Sequence, residues 1–292
     1  MSKKIIRLAR WGMQAELAQI WQICFEESKR PTYYFFNNAF QPQNCLVYQI
    51  DGKAAAMVHM LPVQMVQAGG TVQGHYIYVA STLPEYQKQG CMGALLRAAA
   101  HVGEKRGDHF SCLLPSSDAL YDYYSKYGYE EAFVTRFLTV SAQELSQLGG
   151  KAQWGQVVLG YSRMKALREQ QLNTLAGSIL WDEKAFRYAE GINGQYGGKL
   201  VASGKDGQGA YALCRYLDGE VCEVTELMAD EISFPALAAQ MLAKMPAQQY
   251  RLRLPDNGVL FPGQGQVQRF GMLRQISAVQ CGETAYLGLP LD

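Results

Sequence analysis

Apolar and polar positions alternate in two rhythms along the first half of the chain. Ile5 to Ala9 is a short apolar run that reads as a strand. Leu17, Ile20, Trp21 and Cys24 stand at i, i+3, i+4 and i+7, one stripe of an amphipathic helix. Pro31 suits the opening of a second helix, which carries Tyr33, Tyr34, Phe35 and Phe36. Cys45 to Ile50, Ala54 to Gln67 and Thr71 to Thr82 read as strands joined by turns at Asp51-Gly52 and Gly69-Gly70. A loop over 83–90 leads into a helix from Cys91 to Arg106, with Met92, Leu95, Leu96 and Ala99 as its buried stripe. Phe110 to Leu114 is a strand ended by Pro115. Leu120, Tyr123, Tyr124 and Tyr127 mark a further helix, Gly128 stops it, and Tyr129 to Val140 returns as a strand. The order β-α-α-β-β-β-α-β-α-β predicts an α/β (α+β) fold, a mixed and mostly antiparallel sheet flanked by helices.

The polar stretch Ser141 to Gly155, broken at Gly149-Gly150, suggests a boundary between a domain over 1–140 and one over 141–292. Past it, Met164 to Leu175 reads as a helix. Leu200 to Ala202, Ala210 to Tyr216 and Val221 to Met228 read as strands, and Phe234 to Lys244 as a helix. Tyr250 to Leu254, Val267 to Arg274 and Ala285 to Leu289 read as strands. The second half thus echoes the strand-strand-helix-strand order of the first.

Composition narrows the function classes. A length of 292 residues favours two domains, at about 150 residues each. Hydrophobic residues at 48% and charged residues at 18% exclude global disorder. Lys+Arg 27 against Asp+Glu 26 leaves a net charge of +1, without the basic surplus of a nucleic-acid binder. No apolar run approaches the ~20 residues that span a bilayer. The opening Met-Ser-Lys-Lys-Ile-Ile-Arg lacks the apolar core of a secretory signal. The 7 cysteines are scattered without a Cys-x-x-Cys pair, which predicts free thiols in a reducing cytoplasm and no zinc site.

The segment from Ala80 to Leu96 carries the candidate chemistry. A strand runs into a turn containing Gly90 and Gly93, and the turn opens a helix. Unpaired N–H groups and the positive end of the helix dipole make such a start an anion cradle. The spacing is neither a Walker A loop nor a dinucleotide fingerprint, and a plain strand-to-helix turn has the same texture. The other Gly-rich stretches, Gly204 to Gly209 and Pro262 to Gly265, fit a hairpin loop and a loop with no helix after it.

Gln87-x-x-Gly90-x-Met92-Gly93 resembles the Gln/Arg-x-x-Gly-x-Gly/Ala signature of the GNAT acyltransferase superfamily. Tyr124-Ser-Lys-Tyr-Gly128-Tyr129, about thirty residues on, resembles that superfamily's Tyr-x-x-x-Gly-Phe segment. Met92 departs from the usual Gly or Ala. In this, and in its second GNAT-like domain, the chain is similar to acetyltransferases of the enhanced-intracellular-survival type. The resemblance implies acetyl-CoA as donor and direct transfer of its acetyl group to an amine. It implies that backbone groups of Ala80 and Thr82 pair with the pantetheine arm. The N–H groups of Gln87, Lys88, Gln89, Gly90, Cys91, Met92 and Gly93 would then hold the pyrophosphate, and Tyr124 would act as general acid. The resembled tandem enzymes use a chain-terminal carboxylate as base, which would fall to Asp292.

Read from the residues alone, Tyr124 lies on a packing stripe, and His75 fits either a general base or a structural histidine. His59, His101 and His109 read as structural or exposed. The patch from Tyr33 to Phe36 fits an acceptor wall or helix packing. Ala229-Asp-Glu-Ile-Ser-Phe-Pro, where a second cradle would fall, has no glycine and two acids, so the second domain is expected to be a degenerate repeat that binds no CoA. The first expectation is a CoA-dependent N-acetyltransferase. The alternatives are a non-catalytic acyl-CoA-binding or interaction protein of the same fold, and a nucleotide-phosphate binder.

Overall fold

The computed structural model describes residues 2–149, 155–205, 208–289 and 291. The chain begins with β1 (Lys4–Leu8), α1 (Gln14–Phe25), α2 (Lys29–Asn38), β2 (Cys45–Ile50), β3 (Lys53–Gln67) and β4 (Gly70–Thr82). It continues with α3 (Cys91–Arg106), β5 (Phe110–Leu113), α4 (Asp118–Ser125) and β6 (Glu130–Glu131). Next come β7 (Val134–Ser141), α5 (Ala142–Gly149), β8 (Gly155–Gln156), α6 (Tyr161–Leu172), β9 (Ile179–Leu180) and α7 (Glu183–Gln195). The last elements are β10 (Lys199–Lys205), β11 (Gln208–Tyr216), β12 (Val221–Met228), α8 (Phe234–Lys244), β13 (Gln249–Leu254), β14 (Gln266–Arg269) and β15 (Met272–Gln275).

Two compact units emerge, and neither is contiguous. The first is Met1–Glu131 with Gly271–Gln280, and the second is Ala132–Phe270 with Cys281–Asp292. The sequence suggested a single cut at 140/141. Two stretches read as single strands explain the difference, because each is broken and divided between the units. Tyr129 to Val140 splits into β6 and β7, and Val267 to Arg274 splits into β14 and β15 around Gly271, whose φ is 130°. Local alternation identifies a strand but not the sheet it joins.

The first unit is a mixed sheet in the order β1-β2-β3-β4-β5-β15-β6. β4 and β5 run parallel, with α3 as their crossover. Leu95, Leu96 and Ala99 of α3 are fully buried in a cluster with Leu46, Val58, Met60, Ile77 and Leu113 of the sheet. Gly74 of β4 lies against the Phe110 ring of β5, and a Cβ there would stand 2.5 Å from the ring. The two parallel strands therefore meet tightly at that end.

The second unit repeats the plan in the order β14-β7-β13-β12-β11-β10-β8, with β12 and β13 its parallel pair and α8 the crossover. Val224, Leu237, Met241, Tyr250 and Leu252 are fully buried in its core. The polar stretch after 141 is not a bare linker. Ser141 and Glu144 form a capping box that starts α5: the Ser141 N–H and hydroxyl donate to Glu144 at 2.7 Å, and the Glu144 N–H donates back to Ser141 Oγ. Helix α7 was not expected; its start is capped by Asp182, which accepts from the Ala185 N–H. Ala285 to Leu289 forms no strand. Its first carbonyls instead accept from Val134 N–H, Ile179 N–H and the buried Arg168.

In both units the second parallel strand is flanked by an antiparallel strand from outside the local repeat. β15 pairs β5 from Met272↔Leu113 to Gln275↔Phe110, and β7 pairs β13 from Ser141↔Gln249 to Arg136↔Leu254. A fragment ending at Val140 thus lacks β15 and bares one edge of β5, together with the core cluster that Met272 completes. Such a fragment is expected to aggregate or to melt without a cooperative transition. A soluble fragment 1–140 with a sharp thermal transition by circular dichroism would overturn this account.

Candidate functional site

The site of the first unit is made where β4 and β5 part. They pair only at Gly74↔Phe110, His75↔Ser111 and Tyr76↔Cys112, while β4 continues to Thr82. Against β3, the register of β4 shifts between His59↔Tyr78 and Met57↔Ser81, so Val79 and Ala80 form a bulge. Val79 takes φ +49°, a conformation a β-branched residue rarely adopts. Beyond Tyr76, the edge of β4 that faced β5 is released from the ladder, and its backbone groups are open to an extended ligand.

The chain then makes a single 3-10 turn at Pro84–Tyr86 and reaches Lys88 and Gly90, both left-handed, at φ 60° and 79°. Gln87 folds back, its side-chain amide donating to the Thr82 carbonyl at 3.3 Å, and that of Gln89 donates to the Glu85 carbonyl at 2.8 Å. Gly90 is the N-cap of α3 and brings no capping side chain. The Ala94 N–H bonds the Gly90 carbonyl, which leaves the N–H groups of the first turn pointing out of the helix. That turn holds no acid, and Lys105 and Arg106 close the far end of the helix, so the dipole is uncompensated where an anion would sit. The Cys91 side chain is buried.

Tyr124 lies on α4, 8% exposed, in the same cluster as Cys91. The cluster also holds Ile77 and Leu113, the first residues beyond the last β4–β5 pair. Its ring packs edge-on to Tyr129 at 6.0 Å. Its hydroxyl has no hydrogen-bond partner among the described residues, and burial pushes its pKa up to about 12. Cys24 of α1, which no motif points to, reaches the same strand end: the Thr82 backbone bonds its thiol, whose pKa burial raises.

The other candidates lie apart. His75 is buried at the closed end of β4, Nδ1 2.7 Å from Asp108 Oδ2, with Nε2 left without a partner. Its ring is pressed against Gly103 in the last turns of α3, so it fastens helix to sheet. Asp292 lies outside the described residues. Of the aromatic patch, Phe35 and Phe36 are buried and Tyr33 is exposed. They join Trp21, Phe40 and Tyr78 around the buried His59, whose ring is 4.7 Å from that of Phe35. Among the described residues no group of three or more His, Cys, Asp or Glu is placed to hold a metal ion. No helix there is long and apolar enough to cross a membrane.

The second unit has the same parting without the cradle. β12 and β13 pair from Val221↔Gln249 to Val224↔Leu252, and β12 bulges opposite Leu213 and Cys214. At the start of α8, Asp230 Oδ1 accepts from the N–H groups of Ile232 and Ser233 at 3.1 and 2.8 Å. The Phe234 N–H at the head of the helix donates to the Asp230 carbonyl at 2.9 Å and Pro235 has no N–H, so this helix start offers fewer free donors than that of α3 and has a carboxylate beside it. Just past the bulge, Glu226 forms a fully buried ion pair with Arg168, and the hydroxyls of Tyr211 and Tyr286 donate to Glu226 at 3.4 Å.

Residues 6–132 match the family model of the acetyltransferase (GNAT) domain. The first unit is therefore similar to a GNAT domain. No curated protein matches the chain. Among solved structures, a conserved protein from Enterococcus faecalis described as a probable N-acyltransferase superimposes with a TM-score of 0.74 at 17% identity, covering 94% of this chain and 73% of that one. A GCN5-related N-acetyltransferase from Kribbella flavida gives 0.71 at 19% identity, over 94% and 71%. Eis1 from Mycobacterium abscessus gives 0.68 at 15% identity, over 93% and 74%. These likenesses carry the fold, including the second, GNAT-like sheet, and not the substrate.

The aromatic cage of the first unit sets a pH response. Burial drives the His59 pKa from 6.5 down to about 3, and Nε2 has no partner. The unfolded chain takes up a proton that the folded one refuses. The stability held by neutral His59 is therefore complete above about pH 6.5 and declines as pH falls toward 3, at about 1.4 kcal/mol per unit. Urea unfolding of the wild type and His59→Phe at pH 7, 6 and 5 checks this: the variant should lose less stability per unit of acidification. Parallel slopes would remove His59 from the acid response.

Proposed function

We propose that the protein is a cytoplasmic, acetyl-CoA-dependent N-acetyltransferase whose first unit binds the cosubstrate and acts on a primary amine. The observation that carries this reading is the parting of β4 from β5, which leads directly into an uncapped helix start with a buried, unpartnered phenol beside it. The residues fit acetyl-CoA in three places. The released edge at Ala80 suits the amides of a pantetheine arm, and the Thr82 backbone, which already meets Gln87 and Cys24, would have to exchange those partners to join it. The N–H groups from Lys88 to Gly93 suit a pyrophosphate, whereas that of Gln87 donates to the Pro84 carbonyl at 3.3 Å. The Tyr124 hydroxyl suits the sulfur.

The cosubstrate supplies an acyl group activated as a thioester: the C–N bond to the acceptor forms, the C–S bond breaks, and the amine proton leaves to solvent. The β4 edge and the cradle fix the thioester relative to the acceptor, which removes the entropic cost of a bimolecular encounter. Open backbone N–H groups at the bulge can face the carbonyl oxygen as it gains charge. Tyr124 keeps its proton at every physiological pH. Full transfer from a phenol near 12 to a thiolate near 8.5 is uphill, so its main contribution is a hydrogen bond to the charge developing on sulfur. His75, tied to Asp108 at the closed end of β4, is assigned to structure. That placement favours the second reading, an acyl-CoA-binding protein without turnover, and release of free thiol from acetyl-CoA across a panel of amines separates the two.

Gly90→Asp adds a charge at the cradle and a side chain where φ is +79°. Calorimetry should give one CoA per wild-type chain, because Asp230 closes the corresponding helix start of the second unit. It should show at least a tenfold weaker site in folded Gly90→Asp. Unchanged affinity, or two sites per chain, would overturn the cradle assignment.

Tyr124→Phe keeps the ring and its packing. It should lower kcat by about 10²-fold with little change in acetyl-CoA affinity, in line with loss of one positioned donor. Wild-type turnover in this variant would take Tyr124 out of the mechanism.

A further inference from the structure

Beside the cradle stands a cation that the reading so far does not use. Arg97 lies one turn after Gly93 on α3, on the same side of the helix, about 6 Å along its axis. It is exposed and makes no ion pair among the described residues. Its guanidinium sits over the ring of Tyr127, 5.8 Å from the centroid. Tyr127 itself is held in two ways. Its ring lies 5.2 Å from that of Tyr123, with the two hydroxyls hydrogen-bonded. Its hydroxyl end also rests on Gly93, where a Cβ would overlap it. Gly93 thus serves packing as well as the approach of an anion: it lets an aromatic platform reach the first turn of α3, and the platform holds an arginine there.

We infer that Arg97, supported by Tyr127, binds the ribose 3′-phosphate of CoA. The inference rests on the cofactor reading above, since it needs the pyrophosphate on the first turn. From that point the adenosine must leave the helix start, and its 3′-phosphate lies within a ribose's reach of the pyrophosphate. A guanidinium one helical turn further on is at a matching distance, and its planar fork pairs two phosphate oxygens. The flat ring beneath it restricts the side chain before the ligand arrives, so less freedom is lost on binding. The arrangement therefore selects CoA over ligands that share its pantetheine and pyrophosphate and lack the 3′-phosphate.

Calorimetry with CoA and 3′-dephospho-CoA, on the wild type and Arg97→Gln, tests this. The wild type should favour CoA by about three- to fivefold, the upper part of the range of an exposed charge pair. In Arg97→Gln the two ligands should bind within twofold of each other, with dephospho-CoA affinity unchanged. Tyr127→Leu, which removes the platform and keeps the arginine, should narrow the preference part of the way. Equal weakening of both ligands in Arg97→Gln would place the residue on the pyrophosphate or the fold and overturn the inference. So would a preference for CoA that survives the substitution. A wild type that binds neither ligand would overturn the cofactor reading and this inference together.

Discussion

The first unit depends on a short ladder. β4 and β5 hydrogen-bond over three residue pairs and then separate. Both ends of that ladder are enforced by side chains. At the closed end, Gly74 admits the Phe110 ring, and His75 with Asp108 fixes the end of α3 to the sheet. At the open end, the bulge at Val79 and Ala80 turns β4 away, with Val79 in a conformation that costs free energy unless its surroundings hold it. A regular β4 would have paired with β5 to its last residue and used up the groups that a ligand needs. The strain at Val79 and the openness of the site are one feature.

The same ladder explains the discontinuous units. A parallel strand at the edge of a small sheet offers unpaired groups on its outer side, and something must cover them. For β5 that cover is β15, and for β13 it is β7. Each comes from the stretch of chain that adjoins the other unit, so neither sheet is complete until most of the chain has been made. Contacts between residues 110–113 and 272–275 carry a large loop-closure cost, which argues for slow assembly of the first sheet.

Much of the first unit was legible in the sequence because its signals are local. The limits of α3 follow from two glycines and an apolar stripe, and β2 from an apolar run between turns. The cradle was legible because strand, glycine turn and helix are contiguous. Illegible features were those in which distant residues decide. Nothing near Val267 to Arg274 shows that its halves join different sheets, and nothing near Ala285 shows that its carbonyls face Val134, Ile179 and Arg168 rather than a ladder. The platform of Arg97 and Tyr127 was hidden for the same reason, since it depends on α4 lying beside α3. The start of α5 was a different failure: Ser141 and Glu144 stand at capping-box spacing, and polarity masked the signal.

The two units show how little separates an open helix start from a closed one on one frame. Both have a bulged strand, a parallel partner that parts from it, and a helix that begins where the strand ends. At the start of α3, no carboxylate competes for the N–H groups, and a left-handed glycine lets the loop stand clear. At the approach to α8, the Asp230 carboxylate accepts from the N–H groups of Ile232 and Ser233 and its carbonyl accepts from that of Phe234, so an incoming phosphate would find fewer free donors and sit beside a charge of its own sign. Behind that helix the second unit buries Glu226 against Arg168, with two phenols completing the carboxylate's shell. Removing either partner would leave an uncompensated charge, which makes the pair costly to lose once present. In the second unit Arg168, paired with Glu226 of β12, ties in the chain's own segments by donating to the carbonyls of Ile179 and Leu287. The fold permits both outcomes, and a carboxylate at the helix start decides between them.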